Sequence, residues 1–420
     1  MVEAAPQQAL RHAVFLGRLA ETPSGPSSQG RLGHGAFLTL RLVDLLGPEQ
    51  QLVRPDAFGY QLAGLDRVCR QLPGDSTETA HLIGLKQATA DAFRARDEQL
   101  VVPALLAYAH YLEDELLLAE ALDVLETVVR VGGEALRSSD RVASRLRVAR
   151  VLRKLNEFDA AQEAYDSAQA VAMAAGDRHA ELISRIGQAQ VARGRGQLRD
   201  ASQAFERILA DAERLGDHDA QARVHQELAV VLSTRGQPVE AIPHIWQAFE
   251  LYGDEMSRGR ALADLGGMLL MVGDTEGAER ALRQAVSRGG EQDFATNALV
   301  ELMHCASARR DRVGFERWRE SCEARRNAMP PNILADFALK SGIGRARFGQ
   351  YERAEALLGT ALSLAEAAGL YEFVFRVERI KAGLRDCLET CYKTQVAAAE
   401  PKSQSAAVRE VSVALAHLET

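Results

Sequence analysis

Apolar positions along this chain recur at helical spacing, broken by short turns. No window alternates apolar and polar residues with β-branched enrichment, so the pattern predicts helices and no sheet. One phrase repeats: a helical stretch, a short polar or glycine-containing turn, then a helix with Ala at its fourth place. It reads Asn156-Glu-Phe-Asp-Ala-Ala161, Gly196-Gln-Leu-Arg-Asp-Ala201, Gly236-Gln-Pro-Val-Glu-Ala241, Gly273-Asp-Thr-Glu-Gly-Ala278 and Gly349-Gln-Tyr-Glu-Arg-Ala354. The third residue of each phrase sets a register at Phe158, Leu198, Pro238, Thr275 and Tyr351, with weaker copies at Glu78, Leu118 and Arg312. Successive separations are 40, 40, 40, 40, 37, 37 and 39 residues, a regularity that marks a repeat array.

Side-chain size follows the same register. Three places past it stand Ala121, Ala161, Ala201, Ala241, Ala278 and Ala354; nine places before it stand Ala109, Ala149, Ala189, Ala229, Gly266 and Gly342. Small residues on two helices allow close approach of their axes. Seven places past the register come bulky residues such as Leu125, Tyr165, Phe205, Ile245, Leu282 and Leu358, which fill the space before the next pair. Small where helices cross and large where pairs stack is what an α-solenoid requires. The unit at Arg312 breaks the pattern with Met303, Phe315 and Arg319, so it is degenerate or out of register. Gly176-Asp177, Gly216-Asp217 and Gly253-Asp254 punctuate the units, Gly closing one helix and Asp capping the next.

These residues resemble the tetratricopeptide repeat family: a small residue at its eighth place, Gly-Asp-Tyr-like turns, Ala at the twentieth, an aromatic at the twenty-fourth. Ala at the twenty-seventh is met by Ala88, Ala168, Ala248, Ala285 and Ala361. The match runs from about Phe58 to Lys393 and departs in its period, near 40 where the family has ~34. The large residue at the fourth place of each unit is also mostly missing. The longer period is similar to the repeat arms of bacterial signal-transduction regulators, in which such arrays sense peptides or partner proteins. The resemblance implies an all-α, right-handed α-α superhelix of about eight helix pairs.

The ends read differently. Residues 1–57 are expected to be an N-terminal cap or attachment arm, with a flexible Pro/Gly/Ser stretch over 22–35; the array follows over 58–393. Residues 394–420 carry a polar linker and an amphipathic helix whose stripe is Val408, Val411, Leu415 and Leu418. A cap shielding the array's end is the expected role of that helix, and a docking helix the alternative.

Composition narrows the function. The 420 residues carry 50 basic and 58 acidic side chains, a net charge of −8, which argues against direct nucleic-acid binding. Six lysines stand against 44 arginines, a bias consistent with codon usage. The longest stretch without polar side chains, Leu100–Ala109, is half of what a membrane span needs, and mean hydropathy is −0.17. The start, Met1-Val-Glu-Ala-Ala-Pro, predicts no secretory signal. Five cysteines make no disulfide framework and suit a reducing, cytoplasmic setting.

Catalytic signatures are sparse. There is no phosphate-cradling glycine loop, nucleophile elbow or His-Glu-x-x-His. Glu301 and His304 form a single Glu-x-x-His, where a di-iron bundle needs two. Cys387 and Cys391 sit four apart without the further ligands zinc demands. No cofactor, metal or catalysis is expected.

One polar segment stands out. Arg141–Lys154 holds six cations and no acid, and Arg147, Arg150 and Lys154 share one helical stripe. Like charges at that spacing repel, so a partner or neighbouring acids must relieve them. The resemblance puts the first helix of each unit along a concave groove. It thereby places Arg150, Arg153, Lys154, Arg193 and Arg223 on the inner wall, with Arg147 at its margin, and Glu227, Asp264, Glu301 and His304 further along. The expected function is a scaffold or adaptor for another protein or an extended or acidic peptide. A ligand-sensing regulatory arm is the alternative.

Overall fold

The computed structural model describes residues 10–19, 21–22, 25–46, 53–133, 136–290, 292–390 and 405–418. The chain divides into two compact units, Met1–Gln197 and Leu198–Thr420. Along the sequence, eight first helices alternate with eight second helices. The first helices are α2 (Pro55–Cys69), α4 (Val102–Asp114), α6 (Ser138–Lys154), α8 (Arg178–Gly194), α10 (His218–Thr234), α12 (Glu255–Met271), α14 (Asp293–Ala308) and α16 (Pro331–Arg347). The second helices are α3 (Thr77–Ala95), α5 (Leu118–Gly132), α7 (Phe158–Ala175), α9 (Leu198–Leu215), α11 (Pro238–Leu251), α13 (Thr275–Gly289), α15 (Arg312–Ala324) and α17 (Tyr351–Ala367). Each second helix starts at the register residue, or one place before it in α3. A helix α1 (Ser28–Val43) precedes the array, and α18 (Tyr371–Thr390) and α19 (Ala406–His417) follow it. Among the described residues, the sole ladder pairs Glu21–Thr22 with Gly25–Pro26.

The turn chemistry is local and repeated. Gly196, Gly236, Gly273 and Gly349 hold φ between +75° and +85° where the chain leaves a first helix, the left-handed place that glycine fills without steric cost. Asn156 and Arg310 hold the same place with φ of 63° and 61°. Asp177, Asp217 and Asp254 cap the next first helix by accepting backbone N–H bonds of 2.8–3.0 Å. Gly253 departs from expectation. α11 ends on an extended Tyr252 and not on a left-handed glycine.

Packing explains the side-chain sizes, with one revision. Ala149, Ala161, Ala201, Ala229, Ala241 and Ala278 are fully buried. The small place nine before the register, however, receives the bulky knob of its own hairpin. A Cβ on Gly266 would stand 2.5 Å from Leu282, and one on Gly342 would stand 3.0 Å from Leu358. The unit at Arg312 is in register, since α15 begins there. Its Phe315 is large where others have Ala, and Gly344 of α16 makes room for the ring, which a Cβ would approach to 2.2 Å.

Some first helices pack directly side by side: α6 touches α8, α12 touches α14 and α14 touches α16, and among the described residues no pair of successive second helices packs comparably. Tighter spacing on one edge of a stack favours bending toward that edge, and α6–α8, α12–α14 and α14–α16 show it on the first-helix side.

The described parts of the terminal segments hold more regular structure than their composition implies. Ser27 caps α1 through its hydroxyl, which accepts from the Gly30 N–H at 3.0 Å, so the stretch expected to be flexible holds the first turns of a helix. Residues 12–18 are clamped onto the array. Arg18 donates to Glu78 at 2.9 and 3.1 Å and to Glu120 at 3.1 Å, while buried His12 sits 2.5 Å from Asp123 and 3.2 Å from Asp44. The polar linker up to residue 404 and Cys391 lie outside the described residues, and the linker's last residues form the start of α19. α19 does not shield the array's end. It returns to lie against α11 and α13, burying Val408, Val411 and Leu415.

Candidate binding surface

On the first unit's first-helix side, the cations of α6 meet a carboxylate from the previous repeat. Glu113 of α4, only 5% exposed, accepts from Arg150 Nη2 at 2.6 Å and from Lys154 Nζ at 2.7 Å. Burial alone would raise its pKa, but the two cations outweigh it and hold the carboxyl below its usual range. Arg147 donates to the carbonyl of Leu106 at 3.1 Å, and burial together with adjacent Arg150 pulls its pKa down. Arg153 has its Nε buried without a hydrogen-bond partner. The like-charge strain read from the sequence is therefore relieved in part by one acid. Glu113 had been missed because it lies 37 residues before Arg150. Arg193 is half-buried on α8, at the repeat place of Arg153.

In the second unit, Arg223 turns back to Asp219 on its own helix at 2.7 Å. Asp264 keeps solvent contact and accepts from Gln226 at 2.7 Å; Tyr252 donates to the same Gln226 at 2.7 Å. Surrounding protein, and then Glu227, push the Asp264 carboxyl up to about 6, although its side chain is exposed to solvent. Glu301 does not stand as a free acid on the expected acidic wall: it is paired with Lys340 Nζ, which also bonds Asp336 at 2.5 Å. Lys340 occupies the repeat place of Arg147, Glu227, Asp264 and Glu301, 39 residues past the last of these. That offset was the signal available in the sequence. Nearby His304 has its Nδ1 buried without a hydrogen-bond partner. Burial, then Arg347 and Lys340, push its pKa down to about 3, so the ring is neutral.

These histidines give a signed pH dependence. Burial and the facing His244, whose Nδ1 is 3.0 Å away, lower His225 to about 4. The unfolded chain then binds protons that the folded unit refuses, so these groups cost stability as pH falls from 6.5 toward 4. Asp264 acts in the opposite sense. The double variant His225→Asn/His244→Asn should therefore lose less of its urea midpoint than the parent between pH 7 and pH 5. Equal losses in both proteins would contradict the assignment.

No family model matches the chain, and no curated protein matches it by sequence. Solved structures do. The Rap conjugation gene regulator of the plasmid pLS20, in complex with the Phr* peptide, superposes with a TM-score of 0.52 at 11% identity, covering 83% of this chain and 96% of that one. The apo form of the quorum sensor NprR from B. thuringiensis gives 0.50 at 12% identity, covering 80% and 88%. The chain has the tetratricopeptide-type repeat fold. At such identities the likeness shows fold alone. No described helix is long and apolar enough to cross a membrane.

Proposed function

We propose that this chain is a repeat module that binds a peptide or protein segment on its first-helix face, without chemistry of its own. The observation that carries the reading is the α6 stripe: Arg147, Arg150, Arg153 and Lys154 present four cations against the single buried carboxylate of Glu113. Arg150 and Lys154 remain 43% and 37% exposed while paired, so their remaining donors reach an incoming anion. The partner that fits the first unit is an extended acidic segment. In the second unit Glu227 and Asp264 favour a basic one. The cytoplasm suits the buried thiols Cys69, Cys305 and Cys322. A sensing role is the second reading, favoured by the peptide complex of the Rap regulator with the same fold.

The test replaces Arg147, Arg150 and Arg153 together with Gln, which removes charge without setting an acid beside Glu113. With a fluorescent acidic decapeptide as probe, affinity should drop at least about tenfold, and the parent's binding should weaken steeply with salt. Unchanged affinity in a folded variant would refute the assignment.

A further inference from the structure

On the second-helix side of the second unit, two neighbouring gaps invite comparison, and one is filled by the chain itself. α19 lies between α11 and α13, along the direction of α13. Ser412 donates to Asp274 at the start of α13 at 2.5 Å, and the carbonyl of Leu418 accepts from Gln284, nearly three turns on, at 3.5 Å. Val408, Val411 and Leu415 enter the cluster of buried side chains that contains Ile242, Phe249 and Leu269. This gap is a working receptor for an amphipathic helix.

One repeat earlier, between α9 and α11, the corresponding gap is an open cavity of about 260 Å³. The repeat offsets map one onto the other. Leu209, Leu228 and Leu232 stand where the filled gap has Phe249, Leu265 and Leu269, so the apolar floor is kept. The rim is changed. Glu206, Glu213 and His244 stand where the filled gap has Trp246, Gly253 and Ala281. The His244 ring is neutral, its pKa lowered by burial, so the rim carries the two glutamates' charge. Both are exposed.

We propose that the gap between α9 and α11 is a docking groove for a basic amphipathic helix of a partner protein. Apolar anchors at the spacing of Val408, Val411 and Leu415 would rest on the leucine floor, and flanking Lys or Arg would meet Glu206 and Glu213. α19 itself does not suit this groove: its flank carries Arg409 next to Glu410, and it takes the gap whose rim is apolar. The groove's lining includes none of Arg223, Glu227 and Asp264, so the inference does not depend on the peptide reading above.

The experiment uses the full chain and two synthetic 16-residue helical peptides with identical Val and Leu anchors, one flanked by Lys and one by Glu. Fluorescence anisotropy should show the Lys peptide binding at least about tenfold more tightly than the Glu peptide. The double reversal Glu206→Lys/Glu213→Lys, at exposed positions, should invert that preference. Equal binding of the two peptides, or no binding of either, would overturn the proposal. So would loss of Lys-peptide binding on Asp264→Asn with no effect from the Glu206 and Glu213 reversal, because the first-helix face would then be its site.

Discussion

Replacing Lys340 with Met is expected to lower the stability of the second unit by about 3–5 kcal/mol, the range for breaking a buried ion pair by removing one partner. Lys340 is 5% exposed and bonds Glu301 and Asp336 on adjacent first helices. Its pKa is raised in spite of burial, because the two carboxylates outweigh the desolvation. Without the ammonium, Asp336 is left buried, with its Oδ1 already lacking a partner. The remaining carboxylates must then stay charged in a poor solvent or take up protons. Urea unfolding followed by circular dichroism should show an earlier transition for the variant at pH 7, and acidification should recover part of the loss relative to the parent, because acid removes the unpaired charge. A midpoint unchanged at pH 7 would show that the triad is solvated and structurally idle.

The second large effect lies in the first unit. Gly187 of α8 faces the ring of Tyr165 from α7, and a Cβ there would stand 2.1 Å from it, far inside contact distance. Tyr165 is 3% exposed and has nowhere to swing without opening the interface between the two helices. Gly187→Val should therefore cost about 3 kcal/mol, at the upper end for an overpacked core. The cause is testable by a double-mutant cycle. In a Tyr165→Ala background the same substitution should cost little, giving a coupling energy of about 2 kcal/mol or more. Additive losses would place the strain elsewhere.

The fold was legible because its determinants are local and repeated. Positive-φ glycines, aspartate caps and the small and large places recur with the register, and each can be seen within about twenty residues. What escaped depended on contacts across repeats or on single positions. Phe315 looked like a register failure until Gly344, 29 residues on, was found opposite its ring. Ser27 and its neighbours have loop composition, yet one hydroxyl turns that composition into a helix start. The amphipathic stripe of α19 was plain in the sequence. Its destination was not, because nothing in a stripe of Val and Leu says which gap it fills. The binding surface was half legible for the same reason. The α6 cations stood out as an uncompensated run, whereas the Glu113 that gathers two of them and the Lys340 that pairs with Glu301 sit about one repeat away.

The most direct test of the central claim, that ligands are taken on the first-helix face, is hydrogen–deuterium exchange of the full chain with and without the acidic decapeptide. Protection should appear in α6 and α8 and leave α5 and α7 unchanged. Protection confined to the second helices, or to the terminal segments, would contradict it.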